Sequence, residues 1–122
     1  MAKPIRLIAV AELGASGVAT VDTPHGKLAV GISDGEPFAV SDRCRHLFAS
    51  LGEGRVADDG CLECPRHRAR YDVRTGAMTR GPQGMAFLAA REAIRLGASA
   101  AAPLARYPVE ERDGVLYLAP GS

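Results

Sequence analysis

Residues 44 to 67 decide the fold class of this chain: CRHLFASLGEGRVADDGCLECPRH. Cys44 and His46 open the stretch in a C-x-H motif, Cys64 and His67 close it in a C-x-x-H motif, and 17 residues separate the two motifs. Each motif pairs a thiol with an imidazole beside arginine, whereas structural cysteines usually lie within apolar surroundings. Four such side chains predict a metal site.

Two kinds of metal site could use these donors. Two cysteines and two histidines complete a tetrahedral zinc site, but zinc fingers usually present the cysteines as one pair and the histidines as another. Here each motif supplies one cysteine and one histidine. This pairing suits a [2Fe–2S] cluster with two thiolates on one iron and two imidazoles on the other. We therefore favour the cluster and keep a structural zinc-binding module as the alternative.

Length and charge limit the remaining possibilities. The chain has 122 residues, 12.8 kDa, a net charge of +1 and a pI near 7.8, which predicts one domain over residues 1–122 and gives no case for nucleic acid or membrane binding. The N-terminal apolar run is interrupted by Arg6 and followed by Glu12, so it resembles neither a signal peptide nor a spanning helix. Of three cysteines, the two in the motifs leave no pair for a disulfide. We expect a reducing, cytoplasmic location.

Short strand-like runs separated by turn residues cover most of the chain. The turn Thr23–Gly26 lies between two such runs, Asp34-Gly35 between the next two, and Asp113-Gly114 before Val115–Leu118. Asp-Gly between apolar runs is a strong hairpin signal. The pattern predicts an all-β, antiparallel domain.

One segment departs from this pattern. From about residue 85 to 97 the sequence is rich in alanine, with Phe87, Ala90 and Ile94 at helical spacing and a glycine at the end. This spacing predicts one inserted helix. Its role is open between a surface helix and a docking or shielding element.

Further segments carry a family resemblance. Together with the two motifs, Gly52–Val56 and Tyr71–Gly76 resemble the segments that flank the ligand loops of the Rieske iron–sulfur family. The resemblance implies stacked antiparallel sheets, with the cluster held by a small subdomain at about residues 43–84. It also makes residues 85–102 an inserted helical segment.

The resemblance assigns roles to individual residues. It implies one [2Fe–2S] cluster per subunit, and places Leu47, Tyr71 and Pro82 around it as an apolar shield, a hydrogen-bond donor and part of a covering loop. The four residues that it implies as metal ligands are Cys44, His46, Cys64 and His67.

Several positions depart from the cytochrome bc type of Rieske protein. That type has a serine two residues after the second histidine and a disulfide between the ligand loops, whereas this chain has Ala69, Ala49 and Arg66 at the corresponding positions. Arg68 also stands where glycine commonly follows the second histidine. The chain resembles the ferredoxin type, so we expect a reduction potential in the low or middle part of the family range of about −150 to +300 mV.

The resemblance implies an electron carrier with no catalytic site of its own. Such a ferredoxin passes single electrons from a reductase to a terminal oxygenase, for example an aromatic-ring dioxygenase. Apart from the two predicted ligands the chain has only His25, too few histidines for the 2-His-1-carboxylate iron site of an oxygenase. A small Rieske-like subunit of a nitrite reductase or other oxidoreductase complex is the alternative. Arg45, Arg66 and Arg68 are candidates for docking the redox partners.

Cys61 and His25 are predicted to lie outside the metal site. Alternation along an extended Gly60–Cys64 segment places Cys61 on the face opposite Leu62 and Cys64, which predicts a partly buried thiol outside the metal site. His25 lies in a predicted turn, where we expect it to be solvated.

Overall fold

The computed structural model describes residues 4–42, 50–65, 68–80 and 104–119. These residues form eleven short strands and two 3-10 helices, and every strand pairing among them is antiparallel. The strands are β1 (Ile5–Ala9), β2 (Val18–Thr23), β3 (Gly26–Ser33), β4 (Glu36–Ser41), β5 (Arg55–Val56), β6 (Leu62–Glu63), β7 (Arg70–Tyr71), β8 (Met78–Arg80), β9 (Arg106–Tyr107), β10 (Val109–Arg112) and β11 (Val115–Leu118). The 3-10 helices are Val10–Glu12 and Leu51–Glu53.

The strands form three sheets. An outer sheet has the order β1-β11-β10, a middle sheet has the order β2-β3-β4-β9, and a ligand-loop sheet has the order β5-β6-β7-β8. The predicted all-β, antiparallel fold is confirmed. The subdomain boundaries at about 43–84 stay a prediction, and the helix predicted near 85–97 lies outside the described residues.

Turn chemistry explains the tight hairpins. Asp34 and Gly35 between β3 and β4 have φ of +52° and +79°, and Asp113 and Gly114 between β10 and β11 have φ of +50° and +78°. Positive φ at both central residues is typical of the type I′ turn, whose twist matches that of the flanking strands. The two Asp-Gly pairs therefore form the hairpins that the sequence predicts.

The middle sheet is buried on both faces. Leu28 and Val30 of β3 pack with Leu116 and other residues of the outer sheet, whereas the intervening Ala29 joins a second core. Successive side chains of a strand point to opposite faces, so one apolar run serves both cores. The second core unites the middle sheet with the ligand-loop sheet, through residues that include Phe38, Val40, Leu62, Cys64, Ala69, Tyr71 and Met78.

The chain also returns to this second core at Leu104. The Leu104 side chain is 2% exposed, and its backbone N–H donates to the Gly76 carbonyl at 2.8 Å. A Cβ at Gly76 would lie 2.2 Å from the Leu104 carbonyl oxygen, so the close approach requires glycine. No helix in the described ranges is long and apolar enough to cross a membrane.

Candidate metal centre

Cys64 is the one predicted ligand that lies within the described residues. It follows β6 directly, and its side chain is fully buried in the core between the middle and ligand-loop sheets. The other three predicted ligands, Cys44, His46 and His67, lie outside the described residues, as do Leu47 and Pro82. The four-residue ligand set therefore stays a prediction.

A backbone hydrogen bond closes the turn that carries Cys64. The Cys64 N–H donates to the Ala69 carbonyl at 2.8 Å, so the chain turns back immediately after β6 and enters β7. Leu62, Cys64 and Ala69 are each 0% exposed, whereas Cys61 is partly exposed. The predicted separation of Cys61 from the Leu62–Cys64 face is confirmed.

A cleft of about 270 Å³ lies against Cys64. Its walls combine Cys64 with charged residues and with Gly54, which directly precedes β5. The lining residues are Glu53, Gly54, Arg55, Glu63, Cys64, Pro65 and Arg68. The one predicted ligand that the structure describes therefore lines this cleft.

Glu63 is a buried acid immediately before Cys64. Its carboxylate accepts hydrogen bonds from Arg55 Nε at 2.9 Å, Arg70 Nε at 3.1 Å and Arg80 Nη2 at 3.1 Å. Burial alone would raise the pKa of Glu63, but the hydrogen bonds from Arg55 and Arg70 outweigh it and hold that pKa below its usual value. The acid is therefore ionised and satisfied, as a buried charge requires.

The register of the ligand-loop sheet creates this cluster. Arg55 lies opposite Glu63, Glu63 opposite Arg70, and Arg70 opposite Arg80, so one row of charges crosses all four strands. Arg70 additionally donates to Asp59 at 2.9 Å. Directly opposed unlike charges stabilise neighbouring strands. The row adds charged pairing to the apolar core contacts that Leu62, Tyr71 and Met78 of the same strands make.

Asp42 has a comparable position at the first motif. It is 7% exposed, and its carboxylate accepts hydrogen bonds from Ser50 Oγ at 2.5 Å, Gly52 N at 2.6 Å and Thr20 Oγ1 at 3.2 Å. The Asp42 carbonyl also accepts from the Leu51 N–H at 2.6 Å. Asp42 and Ser50 flank residues 43–49, which contain the first motif. One buried carboxylate therefore joins the two ends of that segment.

Two further predicted features are described. Tyr71, four residues after His67, is 1% exposed and belongs to the same core as Cys64. Its hydrogen-bonding role stays a prediction. His25 is exposed in the β2–β3 turn as expected, and its ring packs on Tyr107 with a centroid separation of 5.2 Å.

Cys61 is a thiol outside the predicted ligand set. Burial raises the pKa of the Cys61 thiol, and a hydrogen bond from the Thr79 hydroxyl at 3.5 Å opposes that rise only in part. The thiol therefore stays protonated at neutral pH. This protonation agrees with a packing role.

The sequence-based prediction missed the roles of Asp42 and Glu63. Alternation along β6 places Glu63 on the face opposite Leu62 and Cys64, and such a face is expected to be solvated. Instead Glu63 is 5% exposed, because arginines from both neighbouring strands cover it. The available signal for the burial of Glu63 was the set of arginines in the neighbouring short strands. That signal can be recognised only when the register of those strands is known.

Comparison with known proteins settles the family. A model of the Rieske [2Fe-2S] domain matches residues 3–106. The chain belongs to the Rieske [2Fe-2S] domain family. The predicted resemblance is thereby confirmed, and the family's domain binds a [2Fe–2S] cluster.

Individual Rieske relatives extend the match. The chain is 38% identical over 110 residues to a protein of Photorhabdus laumondii named 3-phenylpropionate/cinnamic acid dioxygenase ferredoxin subunit, covering 89% of this chain and 87% of that protein. It is 34% identical over 84 residues to the protein of the same name from Escherichia coli K12, covering 69% of this chain and 63% of the relative. The solved ferredoxin of Sphingomonas yanoikuyae B1 superposes with a TM-score of 0.66 at 27% identity, over 98% of this chain and 100% of that one.

The described residues fit a Rieske cluster. Cys64 is a buried cysteine beside the cleft, and the Glu63 and Asp42 networks hold the chain at one or both ends of the two motifs. A thiolate in such a position is a normal ligand of a [2Fe–2S] centre. The one predicted ligand that the structure describes is therefore a donor of the type that such a cluster uses.

Proposed function

We propose that this chain is a Rieske-type ferredoxin that carries single electrons from a reductase to a terminal oxygenase, such as an aromatic-ring dioxygenase. The observation that carries the proposal is the match of this chain, over 89% of its own length and 87% of the relative's, to a dioxygenase ferredoxin subunit. The chain acts in this scheme as a carrier, and the oxygen chemistry belongs to its partner. We further propose that residues 1–122 form one domain and work in the cytoplasm.

The proposed ligands are Cys44, His46, Cys64 and His67. When bound, the [2Fe–2S] cluster supplies reversible one-electron redox chemistry, and histidine ligation gives it a higher potential than all-cysteine ligation does. The protein holds Cys64 in a buried turn and surrounds that turn with satisfied charges. We also retain Leu47, Tyr71 and Pro82 as the residues next to the cluster.

Docking is proposed to use the arginines beside the second motif. Arg70, Arg74 and Arg80 form ion pairs with acids of the chain itself, so they contribute less to the external field than their number suggests. Arg68 is exposed and lines the cleft beside Cys64. Arg68, together with Arg45 and Arg66, is our candidate for steering an acidic surface of a partner.

Metal and sulfide analysis with EPR tests the proposal. We expect two irons and two labile sulfides per chain, and a rhombic EPR signal after one-electron reduction. A zinc-binding protein would contain no labile sulfide and give no signal, which would contradict the proposal.

A variant of His67 tests the ligand assignment. We expect His67→Cys to retain a thiolate-capable site but to shift the EPR signal and lower the potential, because a thiolate places more negative charge on the iron than imidazole does. His25→Cys is the control, since His25 is an exposed turn residue. An unchanged signal in His67→Cys would contradict the assignment of His67.

A further inference from the structure

The side chain of Arg80 joins the two flanks of the second ligand motif. Its Nη2 donates to the Glu63 carboxylate at 3.1 Å and to the Arg68 carbonyl at 3.0 Å, and its Nε donates to the same carbonyl at 3.3 Å. Glu63 immediately precedes Cys64, and Arg68 immediately follows His67. One guanidinium on β8 therefore holds both residues that border the motif C-P-R-H.

Arg68 needs such support because of its backbone conformation. Its φ is +57°, in the left-handed region that glycine adopts without strain and other residues adopt at a cost. Strained conformations of this kind persist when the surroundings hold them. The paired hydrogen bonds from Arg80 to the Arg68 carbonyl supply that restraint at the end of the motif.

Arg55 and Arg70, the other arginines that contact Glu63, differ from Arg80 in their further contacts. Arg55 donates to the Glu63 carboxylate at 2.9 Å, and Arg70 joins Glu63 to Asp59. Within the part of the chain that the structure describes, only Arg80 also donates to the Arg68 carbonyl. A planar guanidinium can reach two acceptors in fixed directions, which a lysine ammonium does not reproduce.

We propose that Arg80 is a positioning residue for the cluster: by clamping the Glu63 carboxylate and the Arg68 carbonyl, it restrains the chain immediately before the ligand Cys64 and immediately after the ligand His67. The inference rests on the proposed function, because it takes these two residues as ligands. Arg80 acts on the cluster through the residues that border its ligands, as residues outside the ligand set of a metal site commonly do. Arg80 also stabilises the left-handed backbone conformation of Arg68, which a glycine would adopt without strain.

The test compares Arg80→Gln with Arg55→Gln in the holoprotein. Both changes remove one positive charge from the same carboxylate, but only the first removes the hydrogen bonds to the Arg68 carbonyl. The readouts are the EPR signal of the reduced cluster and the rate at which an iron chelator bleaches its visible absorbance. Arg80→Lys and Arg55→Lys repeat the comparison with the charge retained.

We expect Arg80→Gln to lose its cluster about tenfold faster than Arg55→Gln and to shift the EPR g-values, since changing outer residues of metal sites has effects of that order. Arg80→Lys should recover only part of the loss. Equal bleaching rates and identical EPR signals in the Arg80 and Arg55 variants would overturn the proposal. If Arg80→Gln does not fold, the two lysine variants decide in the same way.

A different result would contradict the proposed function than would contradict the role of Arg80. The wild-type protein without iron, sulfide or EPR signal would contradict the ferredoxin itself. A wild-type protein with a normal Rieske signal, combined with equivalent Arg80 and Arg55 variants, would contradict only the positioning role.

Discussion

At the scale of single residues, the surroundings of Cys64 bear on the reduction potential that we expect of this Rieske site. Ala69 lies 0% exposed in the core beside Cys64, and its carbonyl accepts the Cys64 N–H. Its methyl side chain cannot donate a hydrogen bond to sulfur. Hydrogen bonds to the sulfurs are among the determinants of cluster potential. Ala69 is therefore one reason to expect a potential below the top of the range.

We expect Ala69→Ser to raise the reduction potential. A new hydroxyl donor would favour the more negative, reduced cluster by about 1 kcal/mol, which corresponds to roughly 40 mV for a one-electron couple. A redox titration followed by EPR measures the change. Ala57→Ser is the control, because Ala57 is also buried but lies outside the turn that carries Cys64. A decrease in potential, or an equal increase in both variants, would contradict the expectation.

Cys61 gives a prediction of pH dependence. Because burial raises the pKa of this thiol above that of the unfolded chain, the folded state favours the protonated form. Its contribution to stability is complete below the unfolded pKa and is lost as pH rises through the folded pKa. We expect Cys61→Ser to flatten the decline in melting temperature above pH 9.

Alkylation provides the second measurement for Cys61. Since the thiolate is the reactive form, Cys61 of the holoprotein should react with iodoacetamide at pH 8 more slowly than free cysteine. Reaction at the rate of free cysteine would contradict the raised pKa.

At the scale of structural elements, each ligand motif lies next to a buried carboxylate that joins neighbouring segments. Glu63 connects β5, β6, β7 and β8 through three arginines, and Asp42 connects the end of β4 to β2 and to the 3-10 helix Leu51–Glu53. The short strands of the ligand-loop sheet also contribute the buried Leu62, Tyr71 and Met78 to the core. Charged hydrogen bonds therefore add to the apolar packing in this part of the fold.

We expect Asp42→Ala to destabilise the protein. The change leaves the buried Gly52 N–H and the hydroxyls of Ser50 and Thr20 without this acceptor, at a cost of about 2 to 3 kcal/mol. For a domain of this size the melting temperature should fall by roughly 8 to 12 °C. The exposed Asp22 of β2 supplies the control, Asp22→Ala. Equal melting temperatures for the two variants would contradict a structural role for Asp42.

At the scale of the whole molecule, positive and negative charges nearly cancel, but they are unevenly divided between internal ion pairs and the exposed surface. A net charge of +1 produces little long-range attraction by itself. Most of the described arginines near the second motif are paired with Glu63, Asp59 or Glu36, whereas Arg68 lies exposed at the cleft. Steering of an acidic partner should therefore depend on few of the described arginines, Arg68 among them.

We expect Arg68→Gln to slow electron transfer to the terminal oxygenase. Removing one steering charge should lower the second-order rate constant about two- to threefold at low salt, and screening should remove the difference at high salt. The measurement is stopped-flow reoxidation of the reduced protein by an oxygenase taken from the neighbouring genes. Arg112→Gln is the control, because Arg112 is exposed on the outer sheet. Equal rates for both variants would exclude Arg68 from docking.

Local sequence chemistry was sufficient for the family and the fold class. The spacing of the two Cys-His motifs was sufficient to predict the kind of metal centre, because few metal centres take one thiolate and one imidazole from each of two loops. Asp34-Gly35 and Asp113-Gly114 specify tight hairpins, since the required positive φ values are local properties of those residues. The prediction that Cys61 and Cys64 separate followed from alternation along one extended segment.

Tertiary structure alone decided which charges are internal. In the sequence Glu63 and Asp42 resemble ordinary surface acids, but they are buried in the structure because residues of other structural elements donate to them. Arg80 reaches Glu63 and Arg68 only because four short strands align in one register, and a register depends on the packing of whole sheets. The sequence by itself therefore determined the kind of metal centre. The fold determined which side chains support it, because the free energy of a buried charge depends on partners that sequence distance does not reveal.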